Sequence, residues 1–126
     1  MTMRLPTILA VAVGGAVGTL GRVAVFEVLE PIGSGAMAAL ISVNLLGALL
    51  LGWFVGKSET TGSMGVKLVA FTSAGMLASF TTFSGFALET VEAVRMGSIT
   101  SALILVVVSL VGGVGLATVG RLAGSR

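Results

Sequence analysis

The chain has 126 residues, of which 56% are hydrophobic and only 10% charged, with a formal net charge of +2. A soluble domain carries about a quarter charged residues, so this composition cannot cover a surface in water and points to lipid as the solvent. The absence of Cys and His excludes thiol chemistry, imidazole acid–base catalysis and ordinary zinc or haem ligation, and no basic cluster exists to hold nucleic acid.

Four apolar segments follow in chain order, each long enough for the roughly 20 residues that a membrane helix needs. The first covers residues 6–29, with Pro6 suited to a first helical turn. Its start has the look of a secretory leader, but the apolar run continues through Phe26, which predicts a span instead. Glu30-Pro31-Ile32-Gly33-Ser34-Gly35 reads as a turn. The second segment covers 36–56, and the polar run from Lys57 to Ser63 predicts a loop in water. The third covers 64–94, too long for one straight crossing, and Arg95-Met96-Gly97 closes it. The fourth covers 98–122, with 123–126 as a frayed tail. The segments are apolar on nearly all sides, the pattern of helices in lipid rather than of stripes facing water. Residues 1–126 thus read as a single all-α unit of four transmembrane helices, with no repeat, linker or second domain. Four short helices enclose little, so conduction or transport implies an oligomer.

Polar residues inside these segments must pair, meet a partner or line water. In the first segment Gly14, Gly18 and Gly21 recur at helical spacing and predict a close helix contact. Arg22, near the end of that span, either snorkels to the headgroups or stands as fixed positive charge at the mouth of an anion pathway. Asn44 in the second segment is expensive to leave unpaired; it either bonds a neighbouring helix or donates its NH2 to a passing anion. Gly52 and Gly56 form another small-residue face. In the third segment, Phe80-Thr81-Thr82-Phe83-Ser84-Gly85-Phe86 weakens the helix at mid-span. A break there frees backbone groups, which is tolerated only inside protein or against water. Phe83 and Phe86, three apart, share a helical face. A phenylalanine ring has a positive edge, so two rings turned edge-on would attract an anion without a buried cation; the plainer reading is aromatic packing. In the fourth segment Ser109 precedes Gly112 and Gly113, and its hydroxyl is expected to bond back to its own helix.

In order and spacing these motifs resemble the Fluc (CrcB) fluoride channels over essentially the whole chain. The matching stretches are Gly14 to Arg22, Val43-Asn44 to Gly47, Thr81 to Glu89 with its Thr-Thr-Phe-Ser-x-Phe box, and Ser109 to Gly113. The resemblance implies an antiparallel dimer of four-helix subunits, each with a broken third helix, and passive fluoride export that relieves fluoride toxicity. It implies that Asn44, Phe83, Phe86 and Ser109 line a pore and bind fluoride, that Arg22 lies at a vestibule, and that Thr82 and Glu89 are pore-associated. It further implies a structural sodium ion at the dimer interface, held by the backbone carbonyls of Ala78 and Thr81, and a multi-pass location in the inner or plasma membrane. The chain departs from the family pattern in three places. Ala78-Ser79 stands for Gly-Gly, Leu40 for a Thr four residues before the Asn, and Leu105 for a Tyr four residues before the Ser.

With four spans, the termini and the central loop share one side of the membrane. That side carries Arg4, Lys57, Lys67, Arg121 and Arg126, against Arg22 and Arg95 on the other. This bias favours cytoplasmic termini and one fixed orientation. It therefore raises a pairing with an oppositely oriented paralogous subunit beside the alternative of self-association. Two other functions compete: a non-conducting structural partner in a heterodimeric channel, and a small multidrug-type exporter. The exporter needs an acid deep in the membrane; Glu27 and Glu30 lie at the end of the first span, and Glu89 remains as a candidate. No set of nucleophile, base or metal ligands supports an enzyme.

Overall fold

A computed structural model gives the fold and describes residues 4–31, 35–62 and 64–126. The described residues are helical throughout, apart from short connections, and form four helical stretches long and apolar enough to cross a membrane: Leu5–Leu29, Gly35–Thr61, Val66–Arg95 and Ile99–Gly124. Large apolar side chains such as Leu20, Leu50, Leu103 and Val114 are exposed on the outside, where lipid is their favourable neighbour. This is a multi-pass membrane protein.

Glycine decides which spans touch. A β-carbon on Gly14 or Gly18 would collide with the backbone of Phe71 or Met76, and one on Gly75 would meet Val11 and Gly14. The first and third spans therefore approach backbone to backbone. The second and fourth do the same, through Gly52 against Ala117, Gly56 against Arg121, Gly120 against Leu49 and Gly124 against Trp53. Such contacts replace the hydrophobic drive that is missing between helices in lipid. Gly21 meets only the Phe80 ring at ordinary van der Waals distance. A small interior remains: Ala39, Leu40, Val43, Leu77, Ala102 and Leu105 are buried.

The boundaries correct three expectations. Lys57–Thr61 is not a loop, because the second helix continues through Thr61. Polar residues here extend the helix beyond the hydrocarbon: 27 residues at about 1.5 Å each span roughly 40 Å. Glu59 accepts two hydrogen bonds from Arg121, at 3.2 Å from Nε and 2.9 Å from Nη2, fastening the ends of the second and fourth spans together. Nor is 123–126 entirely frayed, since the last helix runs to Gly124. Glu30 keeps helical dihedrals as the cap of the first span, so it does not open a turn; Ile32, Gly33 and Ser34 of that predicted turn lie outside the described residues.

The close at Arg95-Met96-Gly97 has a clear cause. Gly97 takes φ +77°, Ser98 N–H donates to the Ala93 carbonyl at 2.9 Å, and Gly97 N–H to that of Val94 at 3.0 Å. This is a Schellman motif, which a side chain at Gly97 would strain.

Candidate functional site

The third span loses its helical dihedrals for two residues. Helix covers Ala78–Phe80 and resumes at Phe83–Arg95, while Thr81 (φ −78°, ψ 159°) and Thr82 (φ −146°, ψ 115°) are extended. Asn44 holds this point. Its Oδ1 accepts from Thr82 N–H at 2.8 Å and its Nδ2 donates to the Thr82 carbonyl at 3.2 Å. Thr82 Oγ1 then accepts from Gly85 N–H at 3.1 Å, capping the helix that follows, and lies 3.1 Å from the Ser84 hydroxyl. Backbone groups that lipid cannot satisfy are thus satisfied by side chains.

Two carbonyls lose their usual donors through these bonds. In an unbroken helix the Ala78 carbonyl accepts from the amide of residue 82, and that of Thr81 from residue 85. Here those amides are committed to Asn44 and to the Thr82 hydroxyl. Ala78 is exposed at the surface of the single chain.

A cavity of about 420 Å³ opens beside this segment, lined by Asn44, Ser73, Thr82, Phe83, Phe86 and Ser109 among others, with Ala78 and Thr81 also at its wall. The Phe83 and Phe86 ring centroids are 5.7 Å apart and the rings are tilted 36° to each other. Phe83 is 80% exposed, so apart from its pairing with Phe86 its ring is largely uncovered in the single chain. Ser109 sits in a π-helical stretch, Val108–Gly112, and its Oγ is buried with no hydrogen-bond partner among the described residues. Elsewhere in the spans Ser42, Ser73, Thr90 and Thr118 each donate to a carbonyl of their own helix. Ser109 does not, which removes the back-bonding reading of its hydroxyl. The Ala70–Leu77 stretch, also π-helical, borders the same cavity through Ser73 and Leu77. Wide turns of this kind frequently accompany functional sites, and no residue pattern announced them.

A second cavity, of about 710 Å³, is lined by Arg22, Glu27, Glu30, Thr82, Ser84 and Gly85 among others. Thr82 borders both cavities. Glu89 lines neither of them. The structure therefore gathers Asn44, Phe83, Phe86, Ser109, Thr82, Ala78 and Thr81 at one cavity and sets Arg22 apart at the other. The pair of hydrogen bonds between Asn44 and Thr82 was not foreseen in that form. Its sequence signal is a lone amide in one span and a threonine ahead of a helical restart in another.

The model of the CrcB-like family (CrcB-like protein, Camphor Resistance) matches residues 9–121. The chain belongs to this family. A fluoride-specific ion channel FluC 2 of Shouchella clausii is 38% identical over 104 residues, covering 81% of this chain and 86% of its own. A fluoride-specific ion channel FluC of Paracoccus denitrificans is 39% identical over 105 residues, covering 83% of each chain. That of Nautilia profundicola is 30% identical over 125 residues, covering 94% and 93%. The CrcB match takes in every polar position at the two cavities.

Proposed function

We propose that this CrcB-family chain is a subunit of a fluoride-selective channel that exports fluoride passively across the cell membrane. The observation that carries the reading is the Ser109 hydroxyl, buried without a partner among the described residues at a cavity shared with Asn44, Phe83 and Phe86. An unpaired buried hydroxyl costs about 1–3 kcal/mol, a cost that a bound anion accepting its proton would offset. Positive ring edges at Phe83 and Phe86 add attraction without a buried cation, which would hold an anion too tightly to release it. Asn44 serves this site chiefly by fixing Thr82, and its second N–H is available to the cavity.

The exposed Phe83 ring and the exposed Ala78 support a second subunit as the missing wall, with the third span acting as a broken helix at the interface. The sodium ion implied by the resemblance fits the residues present: the Ala78 and Thr81 carbonyls have lost their helical donors, and hard oxygen ligands suit such a cation. The Ala78 and Thr81 carbonyls would hold the ion, which would supply fixed positive charge at the interface between subunits. Arg22 at the second cavity would raise anion concentration at one mouth, while Glu89 is associated with the pore only through its place after the Phe box.

The deciding experiment is efflux from liposomes containing the protein purified in whatever assembly it forms, read with fluoride- and chloride-selective electrodes. Fluoride release without chloride release is expected. Equal release of both, or of neither, overturns the assignment.

A further inference from the structure

Three fully buried apolar side chains lie within one helical turn of residues that line the first cavity without lining it themselves. The second and fourth spans run parallel over their later halves, where Leu45 reaches Gly112, Gly52 meets Ala117 and Gly56 meets Arg121. Leu40 stands one helical turn before Asn44 and Leu105 one turn before Ser109, each on the side where its span begins. Leu40, Leu105 and Val43 are the largest fully buried side chains among the described residues, exposed by 1%, 0% and 0%. None of the three lines either cavity. A Leu40 methyl carbon lies 2.9 Å from where a β-carbon on Gly85 would stand, and Gly85 borders the second cavity. Leu40, one helical turn before Asn44, therefore packs against Gly85 at the wall of the second cavity.

We infer that Leu40, Val43 and Leu105 form a dry apolar barrier that closes the direct route from the Asn44–Ser109 cavity along the second and fourth spans, limiting passage through this chain. The inference rests on reading that cavity as the anion's path. Its physics is that of a hydrophobic constriction, which excludes water and opposes ions by withholding any replacement for their hydration. Thr82, which borders both cavities, is left as the polar crossing.

The native chain has no Cys, so water access can be read residue by residue with a small water-soluble thiol reagent that reacts with the hydrated thiolate. In the purified assembly, Ser73→Cys and Ser84→Cys are expected to label, while Leu105→Cys and the gentler Val43→Cys do not. Labelling of both barrier positions at the Ser73→Cys rate overturns the inference. This readout needs no ion flux, so a wild-type protein that fails to release fluoride defeats the channel reading and leaves the barrier intact. The second arm is Val43→Thr, which adds a hydroxyl at nearly constant volume. Its fluoride release from liposomes is expected to rise about tenfold, equivalent to about 1.4 kcal/mol of barrier. Release at the wild-type rate overturns the claim that this layer limits passage.

Discussion

At Ser109 a hydroxyl stands where it costs free energy, its oxygen buried and without a partner among the described residues. Removing it should therefore separate stability from function. Ser109→Ala is expected to leave heat resistance unchanged or to raise it by about 1 kcal/mol, while fluoride release falls. A drop in both, read by monodispersity after heating and by liposome efflux, would mean that the hydroxyl serves packing. Asn44 has the opposite profile. Asn44→Ala leaves the Thr82 N–H and carbonyl unpaired, at about 1–3 kcal/mol for each, so it should lower the melting temperature of the assembly before flux becomes measurable. For the ring pair, Phe83→Ile and Phe86→Ile keep apolar bulk but remove the positive ring edge. Strongly reduced fluoride release from an intact assembly is expected. Unchanged release from both variants would assign the rings to packing, or the conducting pore to a partner's phenylalanines.

The spans themselves were legible because lipid imposes a simple pattern: long apolar runs, small residues at contacts, and a glycine where Gly97 needs positive φ. The polar close of the second helix was not, since Lys57 to Thr61 reads as a loop until the bond from Arg121 to Glu59 appears, a contact 62 residues away in sequence. The π-helical turns were equally hidden, because nothing local to Ser109 or Ser73 encodes an extra residue per turn. Glycine contacts can be tested against each other within the fourth span. A β-carbon on Gly120 would strike the backbone of Leu49 and Trp53, whereas Gly115 has nothing within 4 Å. Gly120→Ala should impair folding and yield of the assembled protein. Gly115→Ala should be neutral or stabilise by up to about 1 kcal/mol through helix propensity. If both fail alike in size-exclusion chromatography, Gly115 is covered by a neighbouring subunit.

On the scale of the whole molecule, the two membrane faces differ sharply in charge. The face with the chain's ends carries Arg4, Lys57, Lys67, Arg121 and Arg126 against Glu59, while the other carries Glu27, Glu30, Glu89 and Glu92 against Arg22 and Arg95. Positive charge flanking short loops resists translocation, so each copy should insert with both ends in the cytoplasm. An inverted neighbour would set the basic face of one subunit beside the acidic face of the other, which favours antiparallel pairing once both orientations exist in the membrane. An antiparallel assembly would need a source for the inverted subunit. A homodimer requires half of the copies to insert against their own charge bias, whereas a paralogue of opposite bias supplies the inverted partner directly. Single-cysteine variants at Ser125 and at Met96, on opposite faces and both exposed, distinguish the two in intact cells treated with an impermeant thiol reagent. Fixed orientation predicts labelling at Met96→Cys and none at Ser125→Cys until the cells are lysed. Labelling of about half the copies at both positions would instead establish a dual-topology chain that pairs with itself, and would show that five basic residues at one face do not suffice to set its direction of insertion.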